Sequence, residues 1–444
     1  MSNKTNRILS WKERLSYGSG DFGLNLYWQS VGFFLLFFYT DVLGLPNKTA
    51  GLIFLIGGVW DAISDPLMGY IAERSTRKES KYKPFIIGGA IPLALSGMLL
   101  FSSPTIDNST LKALYVLIAL LVFRTCYTIV SIPYSTLGAR LTSNPSERTQ
   151  LSAVRMYCGV LGGLAISASA FLLRAIYNDQ TAFQILGVAI GLVSVAMLYH
   201  CYRNTTEIII TRPSSAPAAN LKELAGSLIA NKPFVTLLLG IFFVTFANTF
   251  FLKNLLYYFE YYLGSKQAGN TAFFILTAIP LVSIPFWSLI AVRWGKRKAW
   301  QLGGLVMAAA FCLTYFDHSG TIWSAFLAVG LFAWGSSAYA VLLWSMLPDV
   351  IDYGEFKTGV RNESMAIGLL SSVQKVTIGG SALIISLSLD TIGYQAGMVQ
   401  SNATLEGLNR MISIGPLLAV TLSMLAMRYY PLTGSGLAQL QESE

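Results

Sequence analysis

GLIFLIGGVWDAISDPLMGYIA, residues 51–72, is apolar enough to cross a bilayer, yet it carries two aspartates, Asp61 and Asp65. A run of about 20 mostly apolar residues is what a helix needs to span a hydrocarbon layer of about 30 Å. A carboxylate at the centre of such a helix costs roughly 2.5–3.5 kcal/mol even on gentle insertion scales. At i and i+4 the two carboxylates project from one helical face. Left alone they would repel, so the face calls for a shared cation, a proton or basic side chains from elsewhere in the chain.

The rest of the sequence belongs to the same kind of protein. Of 444 residues, 54% are hydrophobic and 12% are charged, about half the charged share of a soluble domain. Apolar runs of membrane length recur at 17–43, 49–72, 84–103, 111–138, 151–176, 182–202, 233–263, 268–292, 300–316, 321–348, 365–392 and 409–430. The expected fold class is therefore an all-α membrane protein of twelve transmembrane helices. The polar, basic start MSNKTNRILSWKER has no leader pattern before the first long span. Cys126, Cys158, Cys201 and Cys312 sit in or beside apolar segments, without disulfide-framework or metal-ligand spacing.

Net charge is +9, and its distribution is topogenic. Cationic residues gather in the N-terminus, in STRKESKYK (75–83), at Arg140 and Arg148, in the central loop and in RWGKRK (293–298). With an even number of spans these all fall on one side, which the positive-inside rule makes cytoplasmic, with both termini there. No nucleic-acid partner is expected. The longest polar stretch divides the chain into an N-terminal six-helix half (1–202), a cytoplasmic central loop (203–232), a C-terminal six-helix half (233–431) and a cytoplasmic tail (432–444). A faint internal echo links the halves: YSTLGARL and WSMLPDVI close spans four and ten, and a basic loop follows spans two and eight. Two related halves around a midplane site are a secondary-transporter architecture. The chain has no GxxxxGK[ST] phosphate loop, so uphill transport would draw on an ion gradient.

Seven ionisable groups fall in the membrane zone: Asp21, Asp61, Asp65, Arg124, Arg155, Lys253 and Lys375. Such groups face a bundle interior or a wet cavity and are functional candidates by default. Asp61 and Asp65 suit a cation (Na+, Li+ or H+), or else internal salt bridges to Arg124, Arg155 or Lys375. In GDFGLNLYW, Asp21, Asn25 and Trp28 form one polar-aromatic stripe, suited to sugar hydroxyls and ring stacking or to helix–helix hydrogen bonding. In FRTCYTIVSIPYSTLG, Arg124, Thr128 and Ser131 share a face beside Tyr127. Thr128 is either a cation ligand or a back-bonded packing residue. Lys253 with Asn254 interrupts span seven, where snorkelling is the alternative. Lys375 interrupts span eleven. Asp349, Asp352 and Glu355 in DVIDYGEF lie opposite the basic loops, including Arg77 and Arg148, as a cytoplasmic gate or a solvated helix end.

WDAISDPLMGY followed by KYKPF, YTIVSIPYSTLGARLT followed by SERTQLSAVR, and DVIDYGEFKTGVRNES resemble the glycoside-pentoside-hexuronide:cation symporters (melibiose permease-like) of the major facilitator superfamily. The resemblance runs from about Leu15 to Pro431. It implies an alternating-access symporter of the major facilitator fold in a bacterial inner membrane; the residues show no nucleophile–base or metal constellation, so no enzyme is expected, and the expected working unit is a monomer with no cofactor beyond the coupling ion. It also implies that Asp61, Asp65 and Thr128 carry the cation, and that Arg155 and Lys375 serve the sugar and its coupling. Where the melibiose-transporting type has acidic sugar ligands and an aromatic platform, this chain has Asn25, Ser131 and Ser135, with Trp28 or Tyr127 as possible replacements for the platform. The departures, with extra positive charge at Arg124 and Lys253, favour an acidic sugar such as a hexuronide. A lipid or drug transporter of the same fold, and a substrate sensor that does not transport, are the alternatives.

Overall fold

The computed structural model describes residues 8–73, 80, 82–142, 145–207, 228, 230–317, 321–358 and 363–432. The chain divides into two compact units, 1–212 and 213–444. The first holds α1 (Trp11–Phe33, continued by Leu35–Phe37 and a π-helical turn, Phe38–Val42), α2 (Asn47–Glu73), α3 (Lys83–Leu100), α4 (Ser109–Leu141), α5 (Pro145–Ile176) and α6 (Asp179–Asn204). The second holds α7 (Lys232–Tyr257, with a π-helical turn at Tyr258–Tyr262), α8 (Lys266–Ala278 and Pro280–Trp294), α9 (Lys296–Phe316), α10 (Ile322–Thr358), α11 (Glu363–Thr391) and α12 (Asn402–Arg428). Among the described residues, eleven helices are long and apolar enough to cross a membrane. The remaining one, α1, carries Lys12, Glu13, Arg14 and Asp21 in its first half.

The helices outrun the apolar runs that announce them, because their ends are fixed by polar caps rather than by hydropathy. Ser10 and Glu13 form a capping box, so α1 starts at Trp11 rather than near residue 17. Asn108, Asn178 and Ser401 accept backbone N–H groups at the starts of α4, α6 and α12, and α12 accordingly begins seven residues before its apolar run. α5 and α10 also continue past the hydrocarbon-length segment, from Pro145 and to Thr358.

Each unit has the same internal plan. In the first, α1 packs on α5 and α6, α3 packs on α4 and α6, and α2 packs on α4. In the second, α7 packs on α11 and α12, α9 packs on α10 and α12, and α8 packs on α10. The repeat extends to backbone detail. α1 and α7 both end in a π turn, closed by Leu43 N–H to Phe38 O and by Leu263 N–H to Tyr258 O. Each turn is followed by a glycine at φ +66°, Gly44 or Gly264, a conformation closed to most side chains.

At the polar end of the first unit, Arg14 of α1 donates through Nη2 to both oxygens of Glu147 on α5, at 2.9 and 2.8 Å. The backbone N–H of Leu9 adds a third bond to Glu147, at 3.1 Å. Hydrogen bonding by the Arg14 guanidinium, then by the Leu9 amide, holds the Glu147 carboxyl below its usual range. A carboxyl lowered on folding contributes stability above its ordinary pKa of about 4.5, and that contribution disappears as pH falls through the lowered value. Glu147→Gln should therefore lower the thermal unfolding midpoint in detergent at pH 7 and flatten the acid limb below about pH 4.5. Parallel acid limbs in the two proteins would contradict this role.

Candidate functional site

The polar groups of the first unit sort into two clusters on neighbouring helices. In the first cluster Asp21 is the hub. Arg155 of α5 donates through Nε to Asp21 Oδ1 at 2.6 Å. Asn25, one turn along α1, donates to Asp21 Oδ2 at 2.9 Å. Behind them Tyr17 and Tyr134 stack at 4.8 Å between centroids, and each hydroxyl donates to the other's backbone carbonyl, at 3.3 and 2.7 Å. The Arg155 guanidinium lies over the Tyr134 ring at 5.6 Å. It makes a long contact from Nη2 to Ser135 Oγ, at 3.5 Å.

Sequence dictates this closeness through small residues. Gly159 and Gly162 of α5 lie against the polar face of α1. A Cβ at Gly159 would stand 3.0 Å from both Asp21 Oδ2 and Asn25 Nδ2, and one at Gly162 would stand 3.1 Å from Asn25 Cβ. Membrane helices use such residues to let polar groups approach across an interface.

In the second cluster Arg124 of α4 forms an ion pair with Asp61 of α2, both buried. Four residues along each helix, the Thr128 hydroxyl donates to Asp65 Oδ1 at 2.7 Å. Trp60 fixes the same interface, its Nε1 donating to Thr125 Oγ1 at 2.9 Å. Between the clusters Trp28 of α1 stacks on Tyr127 of α4, with centroids 6.2 Å apart and planes 29° apart. Trp28 keeps an open face, at 40% exposure. Ser131, one turn beyond Tyr127, is half-buried.

The sequence-derived residues are thus distributed unevenly. Asp21, Asn25 and Arg155 meet directly, and Trp28 meets Tyr127. Arg124 stands on the aspartate pair rather than with the substrate candidates. This realises the salt-bridge alternative at Asp61, while Thr128 and Asp65 meet as a pair. In the second unit Lys253 is buried, so it does not snorkel to an edge. Asn254 donates to the Phe250 carbonyl of its own helix at 2.7 Å, and Lys375 of α11 is half-buried. Of the gate residues, Asp349 pairs with Lys296 at 2.7 Å, within the second unit. Arg77 and the side chains of Arg148, Asp352 and Glu355 lie outside the described residues. Tyr17 and Tyr134 escaped the sequence reading. Extending the Asp21–Asn25–Trp28 stripe one turn back along α1 reaches Tyr17.

A family model described as "MFS/sugar transport protein" matches residues 16–434. The chain belongs to this family. Full-length relatives agree. A Bacillus subtilis protein named "Uncharacterized symporter YjmB" is 31% identical, covering 99% of this chain and 96% of the relative. An Escherichia coli protein named "Glucuronide carrier protein homolog" is 26% identical over 96% and 94%. The "Isoprimeverose transporter" of Lactiplantibacillus pentosus is 28% identical over 95% and 89%. The fold matches that of a bacterial homologue of the human lysosomal transporter Spinster, with TM-score 0.66, 13% identity and coverage of 94% and 96%. The chain is a multi-pass membrane protein of the major facilitator superfamily, of its glycoside-pentoside-hexuronide symporter branch. It is a secondary transporter of the sugar or glycoside class.

The glycine contacts lead to a direct test. Gly159→Leu forces α5 away from Asp21 and Asn25 and should destabilise the protein by about 1–3 kcal/mol, read as a lower unfolding midpoint in detergent. Gly88→Leu on α3, where a Cβ meets nothing within 4 Å, should leave the midpoint near its starting value. Equal effects at the two positions would contradict the packing described.

Proposed function

We propose that this chain imports an acidic sugar, of the hexuronide type, together with a cation, by alternating access across a bacterial inner membrane with both termini cytoplasmic. The observation that carries the substrate class is the posture of Arg155. Its Nε is committed to Asp21, while its side chain stays 39% exposed beside an Asp21 only 9% exposed. Among the described residues its Nη edge carries only the long contact to Ser135. A guanidinium held by one corner, with the opposite edge open, matches a carboxylate that accepts two parallel hydrogen bonds. Trp28, stacked on Tyr127 with an open face, supplies a platform for the apolar face of a pyranose.

Asn25 and Ser131 fit this cargo. Acidic ligands at those positions would repel an anion, whereas an amide and a hydroxyl serve its hydroxyl groups. The relative named as a glucuronide carrier homolog supports the acidic class, and the one named for isoprimeverose keeps a neutral glycoside as the competing outcome. Coupling falls to Asp61, Asp65 and Thr128. The ion is Na+, Li+ or H+, with no other cofactor, and the working unit is a monomer. The acidic end of α10, from Asp349 to Glu355, serves with Arg77 and Arg148 as the cytoplasmic gate.

A matched ligand pair tests the substrate class. A ligand at a hundred times its Kd stabilises the folded state by about 2.7 kcal/mol, which a thermal-shift measurement resolves. 4-Nitrophenyl glucuronide should raise the unfolding midpoint of the purified protein and the matching glucoside should not. Arg155→Gln should remove the response. Stabilisation by the glucoside alone would overturn the acidic-sugar reading.

A further inference from the structure

A cavity of about 920 Å3 opens in the second unit, where the end of α8, the start of α9 and the segment after α12 meet. That is within the size range of small-molecule sites, about 300–1,000 Å3. One wall is apolar, formed by Val292, Trp294, Leu302 and Leu432. The other is basic, formed by the consecutive residues Lys296, Arg297 and Lys298. Its place in the fold is a membrane boundary. The apolar segment Lys266–Trp294 ends and the apolar segment Lys296–Phe316 begins on either side of Gly295, which turns the chain at φ +88°.

The three cations are not equivalent. Lys296 is spent within the protein, since its Nζ donates to the Ser345 carbonyl at 2.6 Å and to Asp349 Oδ2 at 2.7 Å on α10. This tie fixes the first turn of α9 against α10. Arg297 is half-buried and Lys298 exposed, and neither makes an ion pair among the described residues. Both stand at the positive end of the α9 dipole, a position that favours anions over cations, and no acidic residue lies in that turn to offset them. A topogenic signal needs only cations in the loop; it does not require them to line a cavity. Opposite them, Val292 is 85% and Trp294 56% exposed, so apolar surface remains open beside the unanswered charge.

We propose that this cavity seats an anionic phospholipid, with the phosphate on Arg297 and Lys298 and the acyl chains along Val292 and Trp294. An anion alone needs no apolar wall, and an apolar ligand alone needs no cations; an anionic lipid uses both. Basic pockets at membrane-helix boundaries are suited to such headgroups. The site lies in the second unit and is independent of the sugar and cation assignments in the first.

Lipid titration of the purified full-length protein, read by native mass spectrometry, tests this without knowledge of the sugar. Phosphatidylglycerol should bind at least fivefold more tightly than phosphatidylcholine with the same chains, and the preference should shrink as salt rises. Arg297→Gln/Lys298→Gln should bring the two lipids within twofold of each other. Arg203→Gln/Lys232→Gln, which removes the same charge from exposed positions elsewhere, should keep the preference. Lys298→Gln alone, at an exposed position, should at least halve it and serves if the double variant does not fold. Glycerol 3-phosphate, a headgroup without chains, should displace phosphatidylglycerol only at concentrations at least a hundredfold higher. Equal affinity for the two lipids in the unmodified chain would overturn the proposal, as would a preference that survives loss of Arg297 and Lys298. Displacement by glycerol 3-phosphate at matching concentrations would overturn it in favour of a site for soluble phosphate.

Discussion

A carboxylate buried among membrane helices has to be answered by another group, and this constraint organises the first unit of the protein. Asp21 is answered by Arg155 and Asn25, Asp61 by Arg124, Asp65 by Thr128, and Glu147 by Arg14 and the Leu9 amide. Breaking such a pair by removing one member is costly, because it strands the other, while exchanging one partner for another of the same charge is not. That asymmetry suits a transporter. In the function proposed, a sugar carboxylate would compete with Asp21 for Arg155. A ligand that enters by replacing a partner leaves no charge bare in a low-dielectric interior.

The scaffold is made for close approach at those points. Gly159 and Gly162 bring α5 onto the polar face of α1, and Gly57 lets Arg124 lie along α2. These glycines are helical, so space rather than backbone freedom is what they supply. The repeated neighbour plan of the two units, with π turns and left-handed glycines at equivalent ends of α1 and α7, shows the same architecture built twice. The polar chemistry did not follow the repetition. The aspartate pair and both arginine partners belong to the first unit, and the helices of the second unit carry lysines, Lys253 and Lys375.

How much of this was legible depended on how far apart the interacting residues lie in the chain. The spans could be read because lipid imposes about 20 apolar residues on every crossing helix. Their ends could not, because caps such as Ser10 with Glu13 and Ser401 extend helices into polar sequence. Asp61 and Asp65 were visible as a pair through helical periodicity, but periodicity does not say which of three basic residues on other helices reaches them. Thr128 stood out only through family resemblance, since a mid-helix threonine is more often a back-bonded packing residue. Arg14 looked like one more topogenic cation until the structure placed it on Glu147, 133 residues away. The Tyr17–Tyr134 stack joins α1 and α4, and no local pattern announces a contact of that kind.

The central claim is that substrate recognition and coupling are separate tasks, given to Arg155 with Asp21 and to Asp65 with its neighbours. The most direct measurement compares glucuronide exchange with gradient-driven accumulation in vesicles for two variants, Asp65→Asn and Arg155→Gln. The account predicts that Asp65→Asn exchanges substrate across the membrane but no longer accumulates it, while Arg155→Gln does neither. Accumulation that survives in Asp65→Asn, or exchange that survives in Arg155→Gln, would contradict it.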